Sequence, residues 1–302
     1  MPVDRSIARK AAVAVQLSIS QPKPEEGSVA DFFQFEAEAI AKMIDHTLLD
    51  PALTTRELEE GCALAIHCNL ASVCILPYYL ARCAELLSGT TVRASTAIGF
   101  PHGGQRTAMK VAEARQAVKD GAHELDVVIN ISKARSSDWQ YVNDELFALT
   151  QTIHGEGAKI KVIFQNSYLD EASKIFLCQI CGSMGVDWVE NASADLPGEV
   201  CVPDLELMRR NLPERVQVKA AAGIRNLDAL LAVRAIGVSR VGSTGAESIL
   251  KDYRKRLQRA RVTRIDGWAG YGNSVSLPMR APFIVEEQRM TGTLMAKQRV
   301  RE

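Results

Sequence analysis

The chain has 302 residues, 47% of them hydrophobic and 24% charged, and its 36 basic side chains are balanced by 36 acidic ones. A chain of this length and composition can bury a large core, which excludes the low-hydrophobicity regime of disordered proteins. Its neutral balance argues against a broad nucleic-acid-binding face, and no apolar run reaches the roughly 18 to 20 residues that a membrane helix needs.

From the N-terminus, AAVAVQLSIS is broken by Gln16 and Ser18 and lacks a clear cleavage site, so it does not read as a secretion signal. The segment QPKPEEGS that follows has the composition of a linker, and residues 1–40 read as an extension. A repeating rhythm then begins, in which short apolar or β-branched runs each precede a helical pattern. The runs are MIDHTLL (43–49), ASVCILP (71–77), VRASTAIGF (92–100), HELDVVINI (123–131), IKVIFQN (160–166), DWVENAS (187–193), VQVKAAA (216–222) and SRVGST (239–244). Alternating strands and helices imply a parallel sheet, and eight units in about 220 residues give the count and size of a (β/α)8 TIM barrel. We assign the barrel to 41–264 and a C-terminal tail to 265–302. No strand is followed by a dinucleotide-binding glycine fingerprint, which disfavours the open doubly wound alternative.

Alternate residues of a barrel strand point inward, and barrel active sites lie at the carboxyl ends of the strands. On that alternation Asp45 and Thr47 share a face of the first strand, and Cys74 faces inward from the second. Asp126 and Asn130 share a face of the fourth strand; Lys161 and Gln165 face inward on the fifth, while Val162 and Phe164 face the helices. Glu190 on the sixth strand and Lys219 on the seventh complete the set. Such groups could form a polar core that merely satisfies itself. Three carboxylates and two ammoniums from five strands exceed what a structural core needs, however, so their convergence reads as a site.

These residues lie within a wider resemblance. IDHTLLDP, VCILP, IGFPHG, KVAEARQAVKDGAHELDVVINI, VKAAAGIR and SRVGS, in register from about residue 43 to 250, together resemble deoxyribose-phosphate aldolase. That family comprises class I aldolases on a (β/α)8 barrel, which join acetaldehyde to glyceraldehyde 3-phosphate through a lysine Schiff base. The resemblance implies that Asp126 corresponds to the family's proton-relay aspartate and Lys219 to its second lysine, with Asp45, Thr47 and Cys74 lining the site. It also marks departures. Where the family's sixth strand carries Lys-Thr-Ser-Thr-Gly with the nucleophilic lysine first, this chain has Glu190-Asn191-Ala192-Ser193-Ala194. The Glu-Thr pair ending the fifth strand is Gln165-Asn166, and the glycine pair before Ile-Arg is Ala222-Gly223.

A nucleophilic lysine needs its pKa lowered from about 10.4 towards roughly 7 to 8. Glu190 beside Lys219 acts in the opposite direction, which makes Lys219 a poor amine; Lys161 is less affected by Glu190. With acids outnumbering lysines, one proton shared among them leaves a carboxylic acid near a carboxylate. That pair suits acid–base chemistry of a lyase, dehydratase or isomerase type, with Asp126, Glu190 and Lys219 as the catalytic set. Asp45, Thr47, Cys74, Asn130, Lys161, Gln165 and Ser193 are candidate substrate contacts. Gly223, Ser243 and Thr244 are further candidates, in loops after the last two strands where barrels commonly hold phosphate.

The expected partner is therefore a small carbonyl or phosphorylated sugar-like substrate. No metal is expected, because His46 alternates outward and His102 falls in a loop; no other cofactor is expected either. Two readings differ in kind from the acid–base enzyme: an inactive homologue that binds a ligand or partner, and an aldolase whose Schiff base has moved to Lys219 or Lys161. Cys178-x-x-Cys181 lies in a helical stretch without a second pair and reads as a packed helix face. Seven cysteines without regular spacing fit a reducing cytoplasm. KDYRKRLQRARVTR, rich in basic residues, reads as a solvated last helix without the aromatic support of a nucleic-acid module. The tail GWAGYGNSVSLPMRAPF is a candidate cover for the barrel mouth or for a neighbouring subunit of a homo-oligomer.

Overall fold

The computed structural model describes residues 37–193 and 200–268. Eight parallel strands close into a barrel in sequence order: β1 (Ile44–Leu48), β2 (Ser72–Ile75), β3 (Arg93–Ile98), β4 (Glu124–Val128), β5 (Lys159–Ile163), β6 (Trp188–Glu190), β7 (Gln217–Ala220) and β8 (Arg240–Ser243). Closure is made by β1 and β8, with Ile44 opposite Val241 and Asp45 opposite Gly242. Around the barrel lie α1 (Thr55–His67), α2 (Leu80–Leu86), α3 (Thr107–Lys119), α4 (Ile131–Arg135), α5 (Trp139–Gly155), α6 (Glu171–Met184), α7 (Val202–Arg210) and α8 (Leu227–Ala235), and α9 (Ala246–Trp268) follows β8 in the chain. The expected (β/α)8 barrel is the observed fold. Residues 1–36 of the 1–40 extension and 269–302 of the 265–302 tail lie outside the described residues.

The period of two along each strand sorts side chains into two layers. Val73, Val127, Val162, Val189, Val218 and Val241 are fully buried in the apolar layer that the helices cover. Their neighbours Cys74, Asp126, Ile163, Glu190, Lys219 and Gly242 line a cavity inside the barrel instead. Helix signals in the sequence act as expected. Thr54 and Glu57 form a reciprocal capping box at the start of α1, and Asp170 caps α6 by accepting from the Ser173 amide. Cys178 and Cys181 lie buried on α6, as the packed-face reading expected.

Two strands end earlier than the sequence pattern suggests. Asn130 is not on β4: its side chain accepts from the Lys133 amide at 3.1 Å and caps α4. Gln165 lies past the end of β5 with φ +57, which turns its side chain out of the strand alternation. At Asn130 a local polar bond to the backbone outcompetes continuation of the strand, whereas the Gln165 side chain is drawn to Ser193 on the neighbouring strand end.

The carboxyl end of β4 is held from outside the barrel by a fully buried ion pair. Lys110 of α3 reaches Glu145 of α5 at 3.0 Å and also donates to the Val128 carbonyl at 2.8 Å. Glu145 in turn accepts from the Asn130 amide at 3.1 Å. Burial pushes the lysine pKa down and the carboxyl pKa up, each against the attraction of the other. Beside this pair the loop after β3 crosses the end of β4. At Gly103, with φ +64, an added Cβ would sit 1.7 Å from the Ile129 carbonyl oxygen, so only glycine fits the crossing.

Removing one member of that pair leaves the other charged and buried without its partner. Glu145→Ala should therefore destabilise the fold by about 3 to 5 kcal/mol in urea unfolding. The double variant Lys110→Met/Glu145→Leu should lose less than Glu145→Ala alone.

Candidate active site

Inside the carboxyl end of the barrel lies a cavity of about 210 Å³. Thr47, Cys74, Asp126, Glu190 and Lys219 contribute its polar wall from β1, β2, β4, β6 and β7. Phe100, Ala97 and Ile163 add apolar surface, and residues 221–225 with Gly242, Ser243 and Thr244 close the side where β7 and β8 end.

Lys219 is the centre of the charged group. Its Nζ donates to Asp126 Oδ2 at 2.5 Å and lies 3.3 Å from Asp45 Oδ2 and 3.2 Å from Glu190 Oε2. The Glu190 contact is ionic, and Oε2 of Glu190 accepts no hydrogen bond from the described residues. One layer deeper, Lys161 Nζ meets Asp126 Oδ1 and Glu124 Oε2, each at 2.7 Å. Below that, Arg240 bridges Asp45 and Glu124 and rests 4.9 Å from the Trp188 ring centroid. Ser72 donates to Asp45 at 2.6 Å, and Ser95 to Asp126 at 3.3 Å.

Four carboxylates, Asp45, Glu124, Asp126 and Glu190, thus meet three cations, Lys161, Lys219 and Arg240. Fully ionised, the cluster carries one excess negative charge in a place that excludes water. Burial would raise the Asp45 pKa, but Arg240, Lys161 and Lys219 outweigh it and hold the carboxyl well below the usual range. Asp126 is likewise held down against burial by the two lysines. Glu190 goes the other way: burial pushes its pKa up to about 7, opposed by Lys219 and assisted by Asp126. The odd proton therefore belongs on Glu190. Burial disfavours both ammoniums, yet the surrounding carboxylates raise Lys219 and Lys161 above their ordinary values. Burial also pushes the Cys74 thiol up, so it stays protonated.

The structure brings Asp126, Glu190, Lys219, Thr47, Cys74, Ser193, Gly223, Ser243 and Thr244 together at the cavity. Four other expected substrate contacts do not reach its wall. Asp45 and Lys161 lie below it in the ion network, because their strand positions place them deeper in the barrel. Asn130 is consumed in capping α4, and Gln165 sits behind Ser193, bonded to its hydroxyl and amide. Ser243 spends its hydroxyl on the Ile224 carbonyl and the Gly245 amide, so it fastens the rim. Ala222, where the resemblance expects glycine, adopts φ +68, a left-handed conformation costly for a residue with a Cβ.

Four residues went unread in the sequence. Glu124 and Arg240 lie two residues before Asp126 and Gly242, so the same alternation, followed one step deeper, points to both. Phe100 and the exposed Arg225 sit in loops, where no period assigns direction. Asn191 clamps the end of β6 to β7 through the backbone of Ala221, accepting from its amide at 2.8 Å and donating to its carbonyl at 3.1 Å. Among the described residues no helix is long and apolar enough to cross a membrane, and no group of three His, Cys, Asp or Glu side chains is arranged to hold a metal ion.

Residues 39–173 match the model of the DeoC/LacD family aldolases. The chain is 52% identical over 223 residues to the deoxyribose-phosphate aldolase of Rhodopirellula baltica, a span of 74% of this chain and 92% of that protein. Among solved structures, the aldolase QR15 superposes with a TM-score of 0.69 at 30% identity, over 73% of this chain and 98% of its own. The tetrameric deoxyribose phosphate aldolase of Aeropyrum pernix shares the fold, with a TM-score of 0.67 at 24% identity over 76% and 99% of the two chains.

The Glu190 carboxyl makes stability depend on pH in a stated direction. Its pKa in the fold, about 7, lies above the ordinary carboxyl value, so between the two the folded chain holds a proton that the unfolded chain has released. Stability from this group is full below the ordinary value and is lost as pH rises through about 7. Urea unfolding at about pH 5 and about pH 8 should show the wild type losing stability relative to Glu190→Gln across that interval. A pH-independent difference between the two proteins would place the odd proton elsewhere.

Proposed function

The chain belongs to the DeoC/LacD family of aldolases, and from that premise we propose that it is a lyase acting on a small carbonyl or sugar-phosphate-like compound by acid–base catalysis, without a Schiff-base lysine at the sixth strand. The observation that carries this reading is the environment of residue 190. A carboxyl group stands there, it faces the cavity, and burial tunes it to about 7, the range in which one group both takes and returns a proton at neutral pH.

In this reading a β-hydroxy carbonyl substrate places its carbonyl oxygen at Lys219. The ionised Glu190 takes the proton of the substrate hydroxyl; the carbon–carbon bond breaks, leaving one aldehyde and an enolate. The Lys219 ammonium stabilises the enolate oxygen, and the proton on Glu190 returns to the enolate carbon. Asp126 holds Lys219 charged and in place. Arg225, with the Gly223–Ile224 turn and Thr244, is suited to an anionic group such as phosphate at the rim.

Relocation of the Schiff base gains no support. Both candidate lysines are driven towards the ammonium form by the carboxylates they touch, whereas imine formation needs the free amine. Thr47 and Cys74 serve here as wall contacts, Cys74 as a neutral thiol.

Two experiments test the reading. Borohydride reduction in the presence of small aldehydes should leave no lysine adduct by mass spectrometry; an adduct on Lys219 or Lys161 would show that the amine chemistry persists. With a substrate found by screening aldol-type phosphates, Glu190→Gln should lower turnover by about 100 to 10,000-fold. Normal turnover by both Glu190→Gln and Glu190→Ala would reduce Glu190 to a spectator.

A further inference from the structure

The cavity presents a buried carboxylate oxygen whose close protein contact, among the described residues, is an ion pair with the Lys219 ammonium at 3.2 Å. Glu190 is 3% exposed, its Oε2 has no hydrogen-bond donor, and it lines the cavity wall. Lys219, the nearest cation, donates to Asp126 and is shared with Asp45 and Glu190, at 3.3 and 3.2 Å. Arg225 is exposed and lines the same cavity without an ion pair among the described residues.

The charges facing Glu190 determine what this acceptor takes. Lys219 on β7, Asp126 on β4, Asp45 on β1, Lys161 on β5 and the neutral Cys74 thiol on β2 surround it, with Glu124 and Arg240 beneath; β3 contributes only Ser95. Without Glu190 these groups balance, three carboxylates against three cations. An ionised Glu190 needs one more positive charge, and a buried charge persists only when paired.

We infer that the cavity accepts a small zwitterion, an amine-bearing phosphate monoester, whose ammonium seats on Glu190 while its phosphate meets Arg225 at the rim. The inference rests on the anion-binding rim of the proposed function and adds a cationic group to the ligand. A hydroxyl could also donate to Glu190, but it leaves the excess charge in place. An ammonium removes it, replacing the proton that Glu190 otherwise holds.

That exchange is measurable without turnover. Phosphoethanolamine and 2-hydroxyethyl phosphate differ only in the group offered to Glu190, and both carry the phosphate, so its own titration cancels in the ratio of their affinities. The ammonium stays charged below about pH 9. By linkage, displacing a proton held near pH 7 raises the amine-to-hydroxyl affinity ratio about tenfold between pH 6 and pH 8. Isothermal titration in two buffers of different ionisation enthalpy should also show, near pH 6, about one proton released with the amine probe beyond that seen with the hydroxyl probe. Glu190→Gln should flatten the ratio across pH.

A ratio that is constant in the wild type, or one that still rises in Glu190→Gln, would overturn the zwitterion inference. If the hydroxyl probe binds in that case, the anion-binding rim stands. If neither probe binds, the inference and the rim assignment fail together, while the acid–base role of Glu190 is still tested separately by turnover.

Discussion

The balance of charge inside the barrel is the constraint on which the site depends. Asp126 stands between two lysines, accepting from Lys161 on one oxygen and Lys219 on the other, and Asp45 and Glu124 tie the same lysines to Arg240. Each ion has left water at a cost of several kcal/mol, so no member is independent. Removing any one re-tunes the rest. This is why the pKa values inside the barrel diverge, with Asp45 and Asp126 held down and Glu190 pushed up, although all three are almost fully buried.

The helices and loops around the barrel keep those charges in register. Lys110 and Glu145 fasten the end of β4 two residues beyond Asp126, and the Gly103 crossing secures the loop that brings Phe100 to the cavity. Asn191 fixes the end of β6 to β7, adjacent to Glu190 and Lys219, which are themselves paired in register. Gln165 joins the end of β5 to Ser193 in the same way. The polar residues that fail to reach the cavity are thus mostly the ones that hold its wall, a division of labour in which rigidity behind the site preserves the ion distances within it.

How far this was legible in the sequence follows from how each feature is encoded. The barrel was legible because a period of two and a period of 3.6 alternate eight times, and the inward faces of Asp126, Glu190 and Lys219 follow from strand parity alone. Asn130 and Gln165 were misplaced because parity fails where a side chain bonds its own backbone or φ turns positive, and neither event has a period. Glu124 and Arg240 obeyed the parity and were passed over because they lie at the deep ends of their strands. Arg225 and Phe100 were not legible at all, since a loop direction is decided by tertiary contacts that no local pattern records.

Position 190 has a property independent of the residue that fills it. The other six ions sum to zero, so whatever ionises at 190 is the odd charge in a nearly fully buried cluster. A carboxylate there is unfavourable and the group holds its proton up to about pH 7. An ammonium there would be unfavourable for the same reason, with Lys219 and Lys161 as its near cations, and would lose its proton well below the ordinary lysine value. The same interior therefore tunes a lysine towards a free amine and a glutamate towards a shared acid and base. Exchange of one for the other reverses the sign of the charge and the kind of chemistry open to the site, while the six ions beneath remain balanced among themselves.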